Sequence, residues 1–151
     1  MERVLNVAKE LYVMYQDRYH CDMDEMKMHK LMYFANRESL IQYNKPLFTT
    51  LFKAWKYGPV LDCVRKAYRS SQPFCEIKGS VTEETKKILS NVMDMYGSLD
   101  SWKLSNLSHQ ELSWKYARNG LVAGENGNKP MKEEYIRVDA KTELLKRQLG
   151  N

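Results

Sequence analysis

Few side chains in this sequence have the reach for catalysis, and they are scattered. The chain has three histidines and three cysteines. His20, Cys21 and Asp22 stand side by side and are types that bind metals. A metal site needs several ligands converging, as in HExxH or paired CxxC knuckles, and adjacent residues point in different directions. Neither pattern occurs here. Cys63 and His109 are a nucleophile and a base in kind, the pair that activates a thiol for covalent catalysis. Cys63, however, falls on the predicted inner face of a helix, where a thiol acts as a small apolar side chain. Ser108-His109 beside Glu111 has the composition of a hydrolase site, but no GxSxG elbow or oxyanion loop accompanies it. The plainer reading has Ser108 capping a helix, Glu111 completing a capping box and His109 packing near Trp114. Gly120, Gly124 and Gly127 are neither preceded by a clear strand nor followed by Lys-Ser/Thr, so they make no phosphate loop. These residues predict no enzyme, no cofactor and no metal.

What remains is a basic and aromatic segment. In extended chain, Lys53, Trp55 and Tyr57 share one face, and Ala54 and Lys56 the other. Arg65, Lys66 and Arg69 follow in the next element. Such a set can hold single-stranded nucleic acid by stacking and charge. It can equally grip a protein, because Trp, Tyr and Arg are enriched among residues that dominate interface energy. It can also be a core hairpin whose alternate positions face water. The net charge is +5, but 19 acids are interspersed among 24 bases. That is a mixed-charge surface and not a concentrated basic stripe. A nucleic-acid-binding regulator therefore stays as an alternative to protein binding.

The elements that position this segment follow from periodicity. At 151 residues the chain has the length of one domain and can bury a core without disulfides or metal. Three widely spaced cysteines fit free thiols in a reducing cytoplasm. The N-terminus lacks the apolar core of a signal peptide, and no apolar run approaches ~18 residues. Val4, Val7, Ala8, Leu11, Met14 and Tyr15 recur at helical spacing over residues 2–19. Asp24 is placed to cap a second helix from about Glu25 to Tyr43, apolar on more than one side and so central. Residues 47–56 suit a short extended segment or hairpin. Gly58-Pro59 predicts a turn, with Pro59 in the first turn of a helix from about Val60 to Ser70. Val60, Cys63, Val64 and Ala67 would be its inner face. Residues 70–80 predict a loop with a brief strand near Phe74–Lys78. A helix follows from Thr82, stopped by Gly97 in a left-handed turn. Shorter helices span 99–108 and 110–118, a glycine-rich loop 120–130, and a last helix 131–149 with a charged tail. The fold class is mainly α: a compact single-domain helical bundle with a short β-hairpin near residues 47–57.

The wording KLMYF (from Lys30), PLF (from Pro46) and AWKYGPV (ending at Val60) resembles the signature of the Panacea, or SocA-like, antitoxin domain. The resemblance is strongest over residues 25–68. LSHQELSW (Leu107 to Trp114) resembles a later His–Trp element, and Met131–Ile136 the closing helix, giving a motif core of about 25–68 and 105–136 within a single domain, 1–151. The resemblance implies a mostly helical domain whose members neutralise toxins of unrelated folds by direct binding, one branch acting as an adaptor that delivers the toxin to a protease. The matching positions are Lys30, Leu31, Tyr33, Phe34, Pro46, Leu47, Trp55, Tyr57, Gly58, Pro59, Val60, His109 and Trp114, most of them expected to hold the scaffold. Members often carry an N-terminal DNA-binding module, and the motif's closeness to Met1 predicts none here.

The expectation is a cytoplasmic antitoxin that covers a cognate protein toxin encoded by an adjacent gene. Lys53, Trp55, Tyr57, Arg65 and Arg69 are the expected contact surface. An adaptor that tethers a client to an ATP-dependent protease through the tail Lys141–Asn151 is the second reading.

Overall fold

Asp24 starts the helix around which everything else packs. In the computed structural model, which describes residues 1–150, helix α2 spans Glu25–Tyr43. The Asp24 carboxylate accepts the Lys27 N–H at 2.8 Å, satisfying a donor that the first turn leaves free. Every residue from Lys27 to Leu40 is buried. A helix buried around its circumference needs neighbours on all sides. They are α1 (Val4–Tyr19), α3 (Asp62–Tyr68), α4 (Glu83–Tyr96), α5 (Ser101–Ser108) and α7 (Glu133–Gln148), while α6 (Leu112–Ala117) packs on α7. Burying each large apolar side chain, such as Leu31, Met32 or Phe34, is worth about 1.5–3 kcal/mol. The fold is thus mainly helical, with one short antiparallel hairpin.

Helix α1 buries Val7, Ala8, Leu11, Tyr12 and Tyr15, the predicted stripe. Helix α4 begins as expected, with Thr82 Oγ1 accepting the Thr85 N–H. Gly97 ends it for a different reason than predicted. Its φ is −62°, ordinary right-handed backbone. A Cβ there would lie 2.6 Å from the Met93 carbonyl oxygen and 3.0 Å from the Tyr19 hydroxyl. Glycine is required for room against the last turn of α4 and the Tyr19 hydroxyl, not for handedness.

The chain between Pro46 and Asp62 departs most from expectation. Strands β1 (Lys53–Trp55) and β2 (Gly58–Val60) pair antiparallel in the register Lys53–Val60, Ala54–Pro59 and Trp55–Gly58. The reversal is at Lys56-Tyr57, so Gly58-Pro59 is a strand and not the turn, and α3 starts at Asp62. A proline is tolerated there because each strand of a two-stranded ribbon is an edge. Of the expected inner face of α3, only Val64 is buried within the helix; Cys63 and Ala67 are half-buried. Ala54 N–H donates to Lys129 O and Met131 N–H to Phe52 O, so residues 129–131 line the free edge of β1. That use of Met131 delays the last helix to Glu133.

No strand forms near Phe74–Lys78. Phe74 takes φ +64° and buries its ring against Tyr12 and Tyr68. The expected capping box at Ser108 is also absent. Ser108 is the last residue of α5 and its hydroxyl donates to Ser105 O. Helix α6 is capped instead from α7: Asp139 accepts the Leu112 N–H at 2.7 Å and the Ser113 N–H at 3.0 Å. Residue Asn151, the end of the expected tail, lies outside the described residues.

Gly58 has φ +119°, and a Cβ there would meet Lys30 Cε and Ser108 Oγ at 2.5 Å each. Gly124 has φ +83° with open space around it. Gly58→Ala is therefore expected to cost about 2–4 kcal/mol, strain plus overpacking, while Gly124→Ala costs about 1 kcal/mol. Urea unfolding midpoints of the two variants measure the difference.

Candidate partner-binding surface around the hairpin

The hairpin is fixed by side chains that reach its carbonyls from four directions. Arg118 donates to Ala54 O at 3.0 Å, Trp114 Nε1 to Trp55 O at 2.8 Å, Ser105 Oγ to Tyr57 O at 2.6 Å and Lys30 Nζ to Pro59 O at 3.2 Å. Lys30 is 1% exposed, and burial lowers its pKa to about 8. His109 stacks on Trp114 with centroids 4.1 Å apart, as expected, and the Arg118 guanidinium lies 5.1 Å from the Trp114 ring centre. Burial also lowers the His109 pKa. The His–Trp element is thus a brace for the hairpin.

Tyr33 joins a second buried group. Its hydroxyl lies 3.2 Å from Glu111 and Ser113 and 3.1 Å from Asp139. Glu111 is ion-paired with Arg37, whose other nitrogen donates to the Tyr96 hydroxyl at 2.8 Å. Phe34 stacks on Tyr96 with centroids 4.4 Å apart. Burial pushes the Glu111 carboxyl up to about 7; Arg37 opposes the shift and Asp139 adds to it. Leu31 is core. Pro46 and Leu47 are buried at the end of α2, where Leu47 N–H donates to Asn36 Oδ1.

The five residues expected to contact a partner divide into two groups. Arg65 and Arg69 both reach Glu25, at 3.3 and 2.9 Å, and the Arg65 guanidinium lies 4.9 Å from the Trp55 ring centre. Lys53 pairs with Asp62 at 2.5 Å. Trp55 is half-buried, and with Asn126, Gly127 and Asn128 it lines a recess of about 370 Å3. Tyr57 stands apart at the turn, 46% exposed, edge-on to Trp102 at 5.4 Å. Trp102 was not singled out in the sequence. Its signal was a tryptophan two residues after the cap Asp100, in the first turn of a surface helix.

His29 is held neutral by burial. Its Nδ1 accepts the Leu61 N–H at 3.2 Å, which leaves the proton on Nε2, 3.1 Å from Glu25. The hydrogen bond from His29 and the Arg69 guanidinium hold the Glu25 carboxyl at about 2, against its partial burial.

The residues considered for catalysis have other places. Cys63, Phe74, Cys75 and Lys66 line a cleft of about 440 Å3 beside α1 and α3, while His109 sits at Trp114. Burial raises the Cys63 thiol's pKa, which disfavours the reactive thiolate. Among the described residues no group of three or more His, Cys, Asp or Glu is arranged to hold a metal ion.

A model of the family "Antitoxin SocA-like, Panacea domain" matches residues 28–115, more than half of the chain. Antitoxin SocA of Caulobacter vibrioides (strain NA1000 / CB15N) is 33% identical over 51 residues, 34% of this chain and 27% of that protein. The match thus spans about a quarter of that relative's length. No solved structure matches.

Glu25 and Glu111 give stability opposite pH dependences. Unfolded, each has a pKa near 4.5. Glu25, held at about 2, contributes stability that is complete above 4.5 and lost as pH falls towards 2. Glu111, raised to about 7, keeps its proton in the fold where the unfolded chain has lost it, so its contribution falls as pH rises from 4.5 to 7. Urea midpoints measured from pH 2 to 8 should show Glu25→Gln flattening the acid limb and Glu111→Gln flattening the decline below neutrality.

Proposed function

Because the chain belongs to the SocA-like, Panacea-domain antitoxin family, we propose that it neutralises a cognate protein toxin by binding it directly. Family membership implies a toxin partner; direct, non-catalytic occlusion as the mode is our reading. The observation that carries it is the use of the family-signature side chains. Lys30 and Trp114 bond the hairpin carbonyls, Gly58 makes room for Lys30, and Tyr33 ties α2 to α6 and α7. These groups are spent on holding a hairpin rigid, and a rigid hairpin is a surface that binds without paying for its own ordering.

The contact surface in this reading is the hairpin and the adjoining face of α3, with Lys53, Trp55, Tyr57, Arg65 and Arg69. The toxin is the product of an adjoining gene, and the encounter takes place in the cytoplasm. Among the described residues no helix is long and apolar enough to cross a membrane. The charge pairing disfavours a nucleic-acid regulator. Lys53, Arg65 and Arg69 each already face a carboxylate, which reduces the positive charge left for phosphates.

Co-expression with the adjoining gene's product tests the reading. Growth should be restored by this chain, and the purified pair should bind. Trp55→Ala should weaken that binding at least about tenfold, the loss typical of a buried aromatic anchor. A toxic neighbour that this chain neither binds nor rescues would refute the proposal. Toxin half-life separates the modes: occlusion leaves it unchanged, delivery to a protease shortens it.

A further inference from the structure

Tyr57 and Trp102 form an exposed aromatic corner that the packing of the fold does not use up. Tyr57, at the hairpin turn, is 46% exposed, and Trp102, at the start of α5, is 57% exposed. Their centroids are 5.4 Å apart at 87°, the edge-to-face arrangement that aromatic pairs favour. Both are presented from fixed backbone. Ser105 Oγ holds Tyr57 O at 2.6 Å, and Asp100 caps α5 through the Lys103 N–H at 2.8 Å. Side chains ordered before binding lose little freedom on binding.

The charge placed on the rings themselves is basic. The Lys56 ammonium lies 5.1 Å from the Tyr57 ring centre, and Lys103 follows Trp102 on α5. Neither lysine joins an ion pair among the described residues. Asp100, the carboxylate beside Trp102 and Lys103 in sequence, caps α5 by accepting the Lys103 N–H and sets one acidic group against the two lysines. Lys53, Arg65 and Arg69, by contrast, are engaged by Asp62 and Glu25.

We propose that Tyr57 and Trp102 anchor an acidic surface of the toxin with an apolar centre, and that Lys56 and Lys103 steer its approach. This deepens the antitoxin reading and rests on it. It moves the energetic centre from the arginine face of α3 to the turn and α5, and it names Trp102 as a specificity residue. An aromatic anchor beside a net positive charge pairs with an apolar centre beside negative charge.

The probe is the purified product of the adjoining gene, with association and dissociation followed by biolayer interferometry at low and high salt. Tyr57→Ala and Trp102→Ala should each weaken binding at least about tenfold, mostly through faster dissociation. The double variant Lys56→Glu, Lys103→Glu should slow association about tenfold at low salt, and the gap should close at high salt. Leu145→Ala, equally exposed but on α7, should bind like wild type. Unchanged melting curves confirm that the surface variants fold. If both aromatic truncations bind within about twofold of wild type and still rescue growth, the corner is not the anchor, while the antitoxin reading stands. If wild type itself fails to bind and rescue, both proposals fall together.

Discussion

A hairpin with three residues per strand cannot hold itself together in water, and this one is held from outside. Its backbone carbonyls at Ala54, Trp55, Tyr57 and Pro59 each receive a side-chain donor, and its open edge is lined by residues 129–131. Each such bond contributes about 0.5–1.5 kcal/mol net, and more where the donor is charged, as with Lys30 and Arg118. The donors come from α2, α5, α6 and the residue after α6. The hairpin therefore stays in place only while those helices do, and the rest of the architecture supplies that condition.

The helices are locked to one another by buried polar contacts as well as apolar packing. Asp139 on α7 caps α6 and also accepts from Tyr33 on α2. Glu111 pairs with Arg37 on α2, and Arg147 on α7 pairs with the buried Glu38. Burying charges costs several kcal/mol per ion, so such pairs are weak contributors to net stability. Their value is geometric: a one-turn slip of α7 would strand Asp139, Glu38 and the α6 amides at once. Two helices of six and eight residues cannot hold the hairpin's donors in place by propensity alone. The charged group explains how they do so.

Helix α2, its Asp24 cap, the α1 stripe, the Thr82 cap of α4 and the His109–Trp114 stack were legible in the sequence because local spacing decides them. The hairpin register was not. Gly-Pro reads as a turn in isolation, and only the contact of Gly58 with Lys30 and Ser108 shows that glycine is there for closeness. The cap of α6 failed for the same kind of reason. Ser108 and Glu111 have capping-box spacing, but Asp139, 27 residues after Leu112, outcompetes them. Of the candidate contact residues, sequence found the aromatics and bases but not their pairing. Glu25 lies 40 residues before Arg65 and neutralises it across the fold. Trp102 has no local signal, because the ring it meets, Tyr57, is 45 positions away.

The fold divides the work of the hairpin between buried and exposed side chains. Lys30 shows why the inside is hard to vary. Its four-carbon stem fills core volume, while its ammonium is the donor for Pro59 O. Methionine would fill the same volume but leave that carbonyl unpaired, and leucine would not reach it. Burial lowers the Lys30 pKa to about 8, so near neutrality the charged, donating form still predominates. Tyr57 and Trp102 are exposed, and the backbone beneath Tyr57 is bonded through its carbonyl oxygen, which any residue supplies. The bond from Ser105 to Tyr57 O does not depend on the tyrosine ring. The bonds that fix the turn and the aromatic surface it presents therefore fall on different atoms of the same residue.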